Sequence, residues 1–204
     1  MAARKPKFSR DPAELRRRKL IDATAACLAE YGLAGTSVRQ ICARARVSPG
    51  LLAHHFAGID DLIARTYRHV GDQVSAVLTA ALAAAPDDPE AKLRAFIDAS
   101  FRPPLLDSDL LAIWLGFWSL VRRDPKIRRI HRDVYAEYRR SIEPLIAGTA
   151  KRRGAEIDAR LAALAFTAMM DGLWLELCLD PSAFTAQEAL AIAHAWVDRL
   201  KTAR

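Results

Sequence analysis

The stretch TSVRQICARARVSPGLLAHHFAGIDDL, residues 36–62, constrains the fold of this chain more than any other segment. Ser37 predicts a helix N-cap, with Gln40 three residues on returning the bond in a capping box. Val38, Ile41, Cys42 and Ala45 then share one apolar face. Ser48 followed by Pro49 supplies a second cap and a favoured first helical residue, so a new helix starts a few residues after the first one ends. Two short helices joined this tightly form a helix-turn-helix, whose second helix enters the major groove of DNA by its N-terminal turns. Ser48, Pro49, Gly50, Leu51, Ala53, His54 and His55 are therefore candidates for contacts with base edges and phosphates.

Charge supports that reading through its placement. The chain has 31 Lys and Arg against 24 Asp and Glu, a net charge of +7. Up to Phe56 there are 11 basic and 4 acidic residues, and beyond it 20 of each. A basic part beside a neutral part is expected when only the first meets a polyanion. Arg4, Lys5, Lys7 and Arg10 precede a helix predicted to begin near Asp11-Pro12 and to carry Arg16, Arg17, Arg18 and Lys19, whose charges suit phosphate contacts. Arg16 and Arg17, with Thr36, Ser37 and Arg39, complete the set of residues expected on double-stranded operator DNA.

Helical periodicity runs through the rest of the chain. Leu20, Thr24, Cys27, Leu28 and Tyr31 mark the inner face of the first helix, and Gly32 is its expected left-handed stop. Leu62, Ile63, Tyr67, Val70, Val74, Val77, Leu78 and Leu82 predict one connecting helix over residues 60–85, roughly 37 Å long at ~1.5 Å per residue. Further helices are predicted at 89–101, 107–122, 125–153, 157–179 and 185–202, separated by Pro- or Gly-containing breaks. No alternating strand pattern is present. The expectation is an all-α chain of about nine helices, with a three-helix DNA-binding domain at 1–57 and a second helical domain at 58–204.

Other functional classes find little support. At 51% hydrophobic residues in 204, the chain can bury a sizeable core. No apolar run is expected to reach the roughly 20 residues that span a bilayer. The start is polar and basic rather than signal-like, which predicts a cytoplasmic protein with no membrane partner. Cys27, Cys42 and Cys178 are far apart among apolar neighbours and read as buried reduced thiols. The five histidines are scattered, no cysteine pair has metal spacing, and neither a phosphate loop nor a nucleophile elbow is present. Asp171, Glu176 and His194 have no spacing that demands catalysis. The chain is expected not to be an enzyme, and to need neither cofactor nor metal.

The motif running from Thr36 through Ile41, Ala45, Val47, Ser48, Gly50, His54 and Phe56 to Leu62 resembles that of TetR-type transcriptional repressors. AIWLGFWSL (112–120), DGLWLELCL (171–179) and RRRKLIDAT (16–24) are similar to the choline-responsive repressors of glycine-betaine synthesis within that family. The resemblance implies that 58–204 is a helical ligand-binding and dimerisation domain, in a dimer that binds a near-palindromic operator and responds to a small molecule. It also marks departures: Arg46 stands where the turn usually has Gly, Ala53 and His55 replace other residues of the reading helix, and Ile59 stands where many members have a phosphate-contacting Lys.

Trp114 and Trp118, four residues apart, share a helix face, and Trp174 follows Asp171-Gly172. Aromatic faces with a nearby carboxylate suit a quaternary ammonium such as choline. Phe117 or Tyr135 could complete that cage, with Asp171 or Glu176 supplying charge. A lipophilic cation or an acyl thioester is the alternative effector; a cage closed by the three tryptophans favours a small cation, a long apolar tunnel an acyl chain. The nearly continuous apolar pattern from Leu161 to Leu179 exceeds what a one-sided helix needs. With the resemblance, it predicts homodimerisation through the last two helices.

Overall fold

The computed structural model describes residues 12–200, so the expected basic arm at residues 1–10 lies outside the described residues. Among those described there are nine α-helices and no strand: α1 (Pro12–Gly35), α2 (Val38–Ala45), α3 (Pro49–His55), α4 (Ile59–Ala84), α5 (Pro89–Ser100), α6 (Ser108–Val121), α7 (Pro125–Arg152), α8 (Ala159–Leu179) and α9 (Ala186–Asp198).

Local chemistry sets these boundaries. Ser48, Asp88, Asp107, Asp124, Asp158 and Thr185 each accept a hydrogen bond from a backbone N–H of the helix that follows, satisfying groups the first turn leaves free. Pro49, Pro89 and Pro125 occupy first helical positions, where a missing N–H costs nothing. Gly32 takes φ 64°, ψ −178° and breaks α1, after which a short turn runs on to Gly35. At Ser37 the capping box differs from expectation. The hydroxyl accepts from Gln40 N–H at 3.4 Å and donates to Gln40 Oε1 at 2.6 Å, so the return bond joins side chains rather than reaching the backbone. A capping box with the backbone bonds in both directions forms instead at Thr185 and Glu188.

Three apolar clusters hold the helices together. In the head, Leu20 and Cys27 of α1 pack with Ile41 and Cys42 of α2, Leu52 of α3, Phe56, and Leu62 of α4. The first turns of α4 thus complete the head's core, beyond a boundary at residue 57. A second cluster joins Leu28 of α1 to Ile63, Tyr67 and Val70 of α4, Ile113, Trp114 and Phe117 of α6, and Ile127 of α7. The third fills the far half with Phe96 and Ile97, Ile142 and Ile146, Phe166 and Met170, and Ala193 and Val197 from α5, α7, α8 and α9. Tyr31 is not on the inner face of α1 as expected but exposed, with the Arg44 guanidinium 5.9 Å from its ring centroid.

The connecting helix is clamped against α7. Gly71 makes the close approach possible, since a Cβ there would lie 2.9 Å from Val134 Cγ2. Below it Arg68 forms a bidentate pair with Glu137 at 3.0 and 2.7 Å, and Lys126 at the start of α7 reaches Asp61 at 3.0 Å.

Helix α8 corrects one expectation. By length and composition it is apolar enough to cross a membrane. One face nevertheless packs inside the protein through Ala163, Phe166, Thr167, Met170 and Leu177, while Leu161, Leu164 and Leu179 are exposed.

Arg46 is the single non-glycine residue with positive φ among those described, at φ 56°, ψ 47° in the turn between α2 and α3. An L-residue there costs about 1–2 kcal/mol, partly offset by the unfolded-state entropy a side chain removes. Arg46→Gly is expected to raise stability by roughly 0.5–1 kcal/mol, measured as a higher Tm; a lower Tm would show that the arginine side chain stabilises the turn.

Candidate functional site

Helix α3 divides its residues between two tasks. Leu52, with Phe56 just beyond it, is buried in the head's core, which fixes the helix's rotation. Pro49, Gly50, Ala53 and His54 consequently face outward together, exposed, with Leu51 half-buried beside them. Ser48 is committed to its cap, accepting from Leu51 N–H at 3.3 Å. His55 turns sideways. It is half-buried, its Nε2 has no partner among the described residues, and its pKa is lowered by burial and by the charges of His54, Arg17 and Arg16. A neutral imidazole packed against the head is a different thing from a groove contact.

The remaining expected DNA residues spread over two surfaces. Arg16, Lys19, Arg44 and Arg46 border an open groove of about 870 Å³ between α1 and the α2–α3 turn, with Ser48 and Leu51 on its floor. Arg44 is not singled out in the sequence and Arg46 only as a departure in the turn; both are exposed at the end of α2, where Arg44 is also paired with Glu30. Arg17 points to the other side of α1, toward Phe56, Arg65 and His69. Thr36 spends its hydroxyl on the Gly32 carbonyl at 2.7 Å, while Ser37 and Arg39 are exposed at the start of α2.

In the far half, α4, α5, α6, α7 and α8 line a partly open cavity of about 90 Å³. Trp114, Trp118, Trp174, Tyr138 and Met170 contribute to its walls, and Asp171 is its carboxylate. Trp114 and Trp118 stack at 6.2 Å between centroids, 28° apart. Trp174 is oriented by donating its indole N–H to the Leu105 carbonyl at 2.9 Å, whereas the Trp118 N–H is buried with no acceptor among the described residues.

Burial pushes the Asp171 carboxyl up to about 6, against the opposing hydrogen bond from Tyr135 and the charge of Arg139. Tyr135 and Tyr138 are pushed up in turn, first by burial and then by Asp171. Tyr135 therefore stands behind the carboxylate as its donor rather than in the cavity wall. The cavity is a low-dielectric box with aromatic faces and one carboxylate whose ionisation a bound cation would favour.

Two expected cage residues are placed elsewhere. Phe117 is fully buried in the middle cluster, stacked on Tyr67 at 4.3 Å and 8°. Phe117 touches Trp114 edge-on at 6.0 Å, but it lies about 100° round the helix from Trp118 and turns toward α4 rather than the cavity. Glu176 is exposed, since five residues beyond Asp171 the side chain lies well round the helix from the cavity. Sequence reasoning missed Tyr138, which carries no motif and is identified as a wall residue only by the way α7 packs.

Residues 20–66 match bacterial regulatory proteins of the tetR family, and residues 86–201 match the C-terminal domain of BetI-type transcriptional repressors. The HTH-type transcriptional regulator BetI of Burkholderia mallei is 37% identical over 191 residues, covering 94% of this chain and 96% of that one. The protein of the same name from Burkholderia cenocepacia is 35% identical over 195 residues, covering 92% and 94%. Among solved structures, a transcriptional regulator from Pseudomonas aeruginosa PAO1 superposes with a TM-score of 0.86 at 43% identity, covering 97% of this chain and 96% of the other. A transcriptional regulator from Saccharomonospora viridis, solved in complex with choline, has the same fold, with a TM-score of 0.82 at 20% identity over 94% of this chain and all of its own.

The site yields two predictions. His54→Ala is expected to weaken operator affinity about tenfold while leaving dimerisation unchanged, read by fluorescence anisotropy and sedimentation. Unchanged affinity would remove His54 from the contact surface. For Asp171, the folded-state pKa of about 6 lies above its ordinary value of 3.8, so the native state holds the proton more tightly. Ionising it costs stability that is intact at low pH, lost progressively between pH 4 and 6, and fully lost above. Asp171→Asn should therefore stabilise the ligand-free protein at pH 7.5 and do so much less at pH 4; an equal Tm shift at both would contradict the buried carboxylate.

Proposed function

Because the chain belongs to the TetR family and carries a BetI-type repressor domain, it is a transcriptional repressor, and we propose that its effector is choline or a closely similar small cation. The observation that carries the proposal is Asp171 held among Trp114, Trp118 and Trp174 in a cavity of about 90 Å³. Aromatic faces attract a quaternary ammonium whose own hydration is weak, and the carboxylate balances its charge. The cavity's small size disfavours an acyl thioester, which needs a long apolar channel. The Trp118 N–H is a donor available to an effector oxygen. The naming of the Burkholderia relatives and the choline complex of the Saccharomonospora protein agree with this reading.

The working unit is a homodimer. Leu161, Leu164 and Leu179 on α8 and Ile192 on α9 are each about half exposed, at 50, 48, 58 and 48%. On α8, Leu161, Leu164, Ala165, Ala168, Leu175 and Leu179 recur at helical spacing, a stripe whose burial needs a partner surface. A second copy meeting it about a two-fold axis presents two heads to the two halves of a near-palindromic operator. The ligand-free dimer binds DNA, and effector favours a state whose heads are wrongly spaced. Equal affinity for both states would shift nothing. Such a regulator acts where its operator is, in the cytoplasm.

Isothermal titration with choline tests the site. Affinity is expected to rise up to about tenfold per pH unit below pH 6, as Asp171 ionises, and to level off above. Asp171→Asn should bind weakly at every pH. A flat profile in the unaltered protein would remove Asp171 from the site. Leu164→Asp combined with Ile192→Asp is expected to give a monomer in sedimentation velocity; a persistent dimer would move the interface elsewhere.

A further inference from the structure

We propose that the corner between α6 and α7 is a second DNA-contacting surface, through which the effector domain grips phosphates beside the segment read by α3. The proposal rests on the DNA-binding reading of the family. Residues 122–132 hold Arg122, Arg123, Lys126, Arg128, Arg129 and Arg132 against one acidic residue, Asp124. All six basic residues are exposed. Asp124 keeps its charge but is committed to capping α7, accepting from Lys126 N–H at 2.7 Å and Ile127 N–H at 3.2 Å, and so offsets one of the six.

Two of the six have internal tasks that fix the corner's shape. Arg128 donates to the Val121 and Arg122 carbonyls at 3.1 and 2.7 Å, closing the end of α6. Lys126 reaches Asp61 at the start of α4. Arg122, Arg123, Arg129 and Arg132 have no ion-pair partner among the described residues. With Asp124 and Asp133 the nearby acidic residues in sequence, they leave the corner with a net positive surface.

The corner is placed beside the head. Asp61, which Lys126 holds, also accepts from the Ala57 N–H at 3.3 Å, two residues beyond the end of α3. Leu120, Val121, Ile127 and Ile130 on either side of the corner pack in the same cluster as Ile59, the first residue of α4. Helix α4 itself opens with Asp60 and Asp61, so the positive charge at this junction comes from the corner. A basic surface continuous with the head suits a phosphate backbone running past it. An anionic membrane would demand apolar anchors as well. Among the described residues, no exposed large hydrophobic side chain lies between Leu115 and Ile157.

The patch also has a mechanical connection. Arg122 and Arg123 directly follow α6, whose Trp114 and Trp118 wall the effector cavity. A shift of α6 on effector binding displaces these charges together with the head, so release acts on both contacts.

The test compares the unaltered dimer with Arg122→Ala/Arg123→Ala/Arg129→Ala on random-sequence duplexes of roughly two and roughly four helical turns, with affinity measured over a salt series. Each phosphate contact contributes about 0.9 to the slope of log K against log salt. On the long duplex the variant is expected to lose about 2–3 from that slope and about tenfold or more in affinity near 0.15 M salt, with a smaller loss on the short one. Matching Tm and dimerisation confirm that the variant folds. Equal slopes and affinities on both duplexes overturn the proposal. So does loss, in the variant, of binding to phosphatidylserine vesicles while DNA binding stays intact, which would assign the patch to a membrane. An unaltered protein that binds neither duplex even at low salt would also overturn the proposal, and a parallel measurement on the DNA upstream of its own gene distinguishes that result from failure of the DNA-binding reading.

Discussion

Tyr67 is buried where four helices meet, and the proposed communication between the two halves of this repressor runs through that meeting point. From α4 its ring stacks on Phe117 of α6 at 4.3 Å and meets Trp114 edge-on at 5.3 Å. Its hydroxyl bonds His131 Nδ1 of α7 at 2.8 Å, and Leu28 of α1 belongs to the same cluster. Close-packed interiors do not deform continuously; they hold one arrangement or move to another. Trp114 has one side in this cluster and another in the cavity wall, so an effector that displaces it disturbs the contacts holding α1 and α4 in place.

The cavity and the cluster are also linked through polar groups. Asp171 is held by Tyr135, whose ring lies 4.4 Å from that of His131, the partner of Tyr67. Burial lowers the His131 pKa and, with Arg139 adding to it, keeps the ring neutral. A cation entering beside Asp171 therefore changes the charge at one end of a chain of side chains that ends on the connecting helix. Contacts at Gly71–Val134, Arg68–Glu137 and Asp61–Lys126 hold that helix against α7.

Much of this was legible in the sequence because its signals are local. Ser48-Pro49 and Asp124-Pro125 specify helix starts through chemistry contained within a few residues, and the apolar spacing of α4 marks its buried face without knowledge of its partners. What stayed hidden depends on rotation and neighbourhood. Phe117 reads as a cage residue beside two tryptophans until the turn of α6 points it at Tyr67. Glu176 reads as a second carboxylate until α8 carries it to the surface. Tyr138 and Tyr67 have no pattern that separates them from ordinary core. The basic corner was masked by counting over the whole remainder, where 20 basic and 20 acidic residues sum to neutrality; the run at 122–132 is local in sequence, and folding adds that it lies beside the head.

The central claim is that a cation bound at Asp171 releases the heads from DNA. Its most direct test is to titrate choline into the complex of the purified dimer with the DNA upstream of its own gene, for the unaltered protein and for Asp171→Asn in parallel. The account predicts that choline dissociates the first complex and leaves the second intact, with both proteins binding DNA equally well beforehand. Equal release of both, or release of neither, would contradict it.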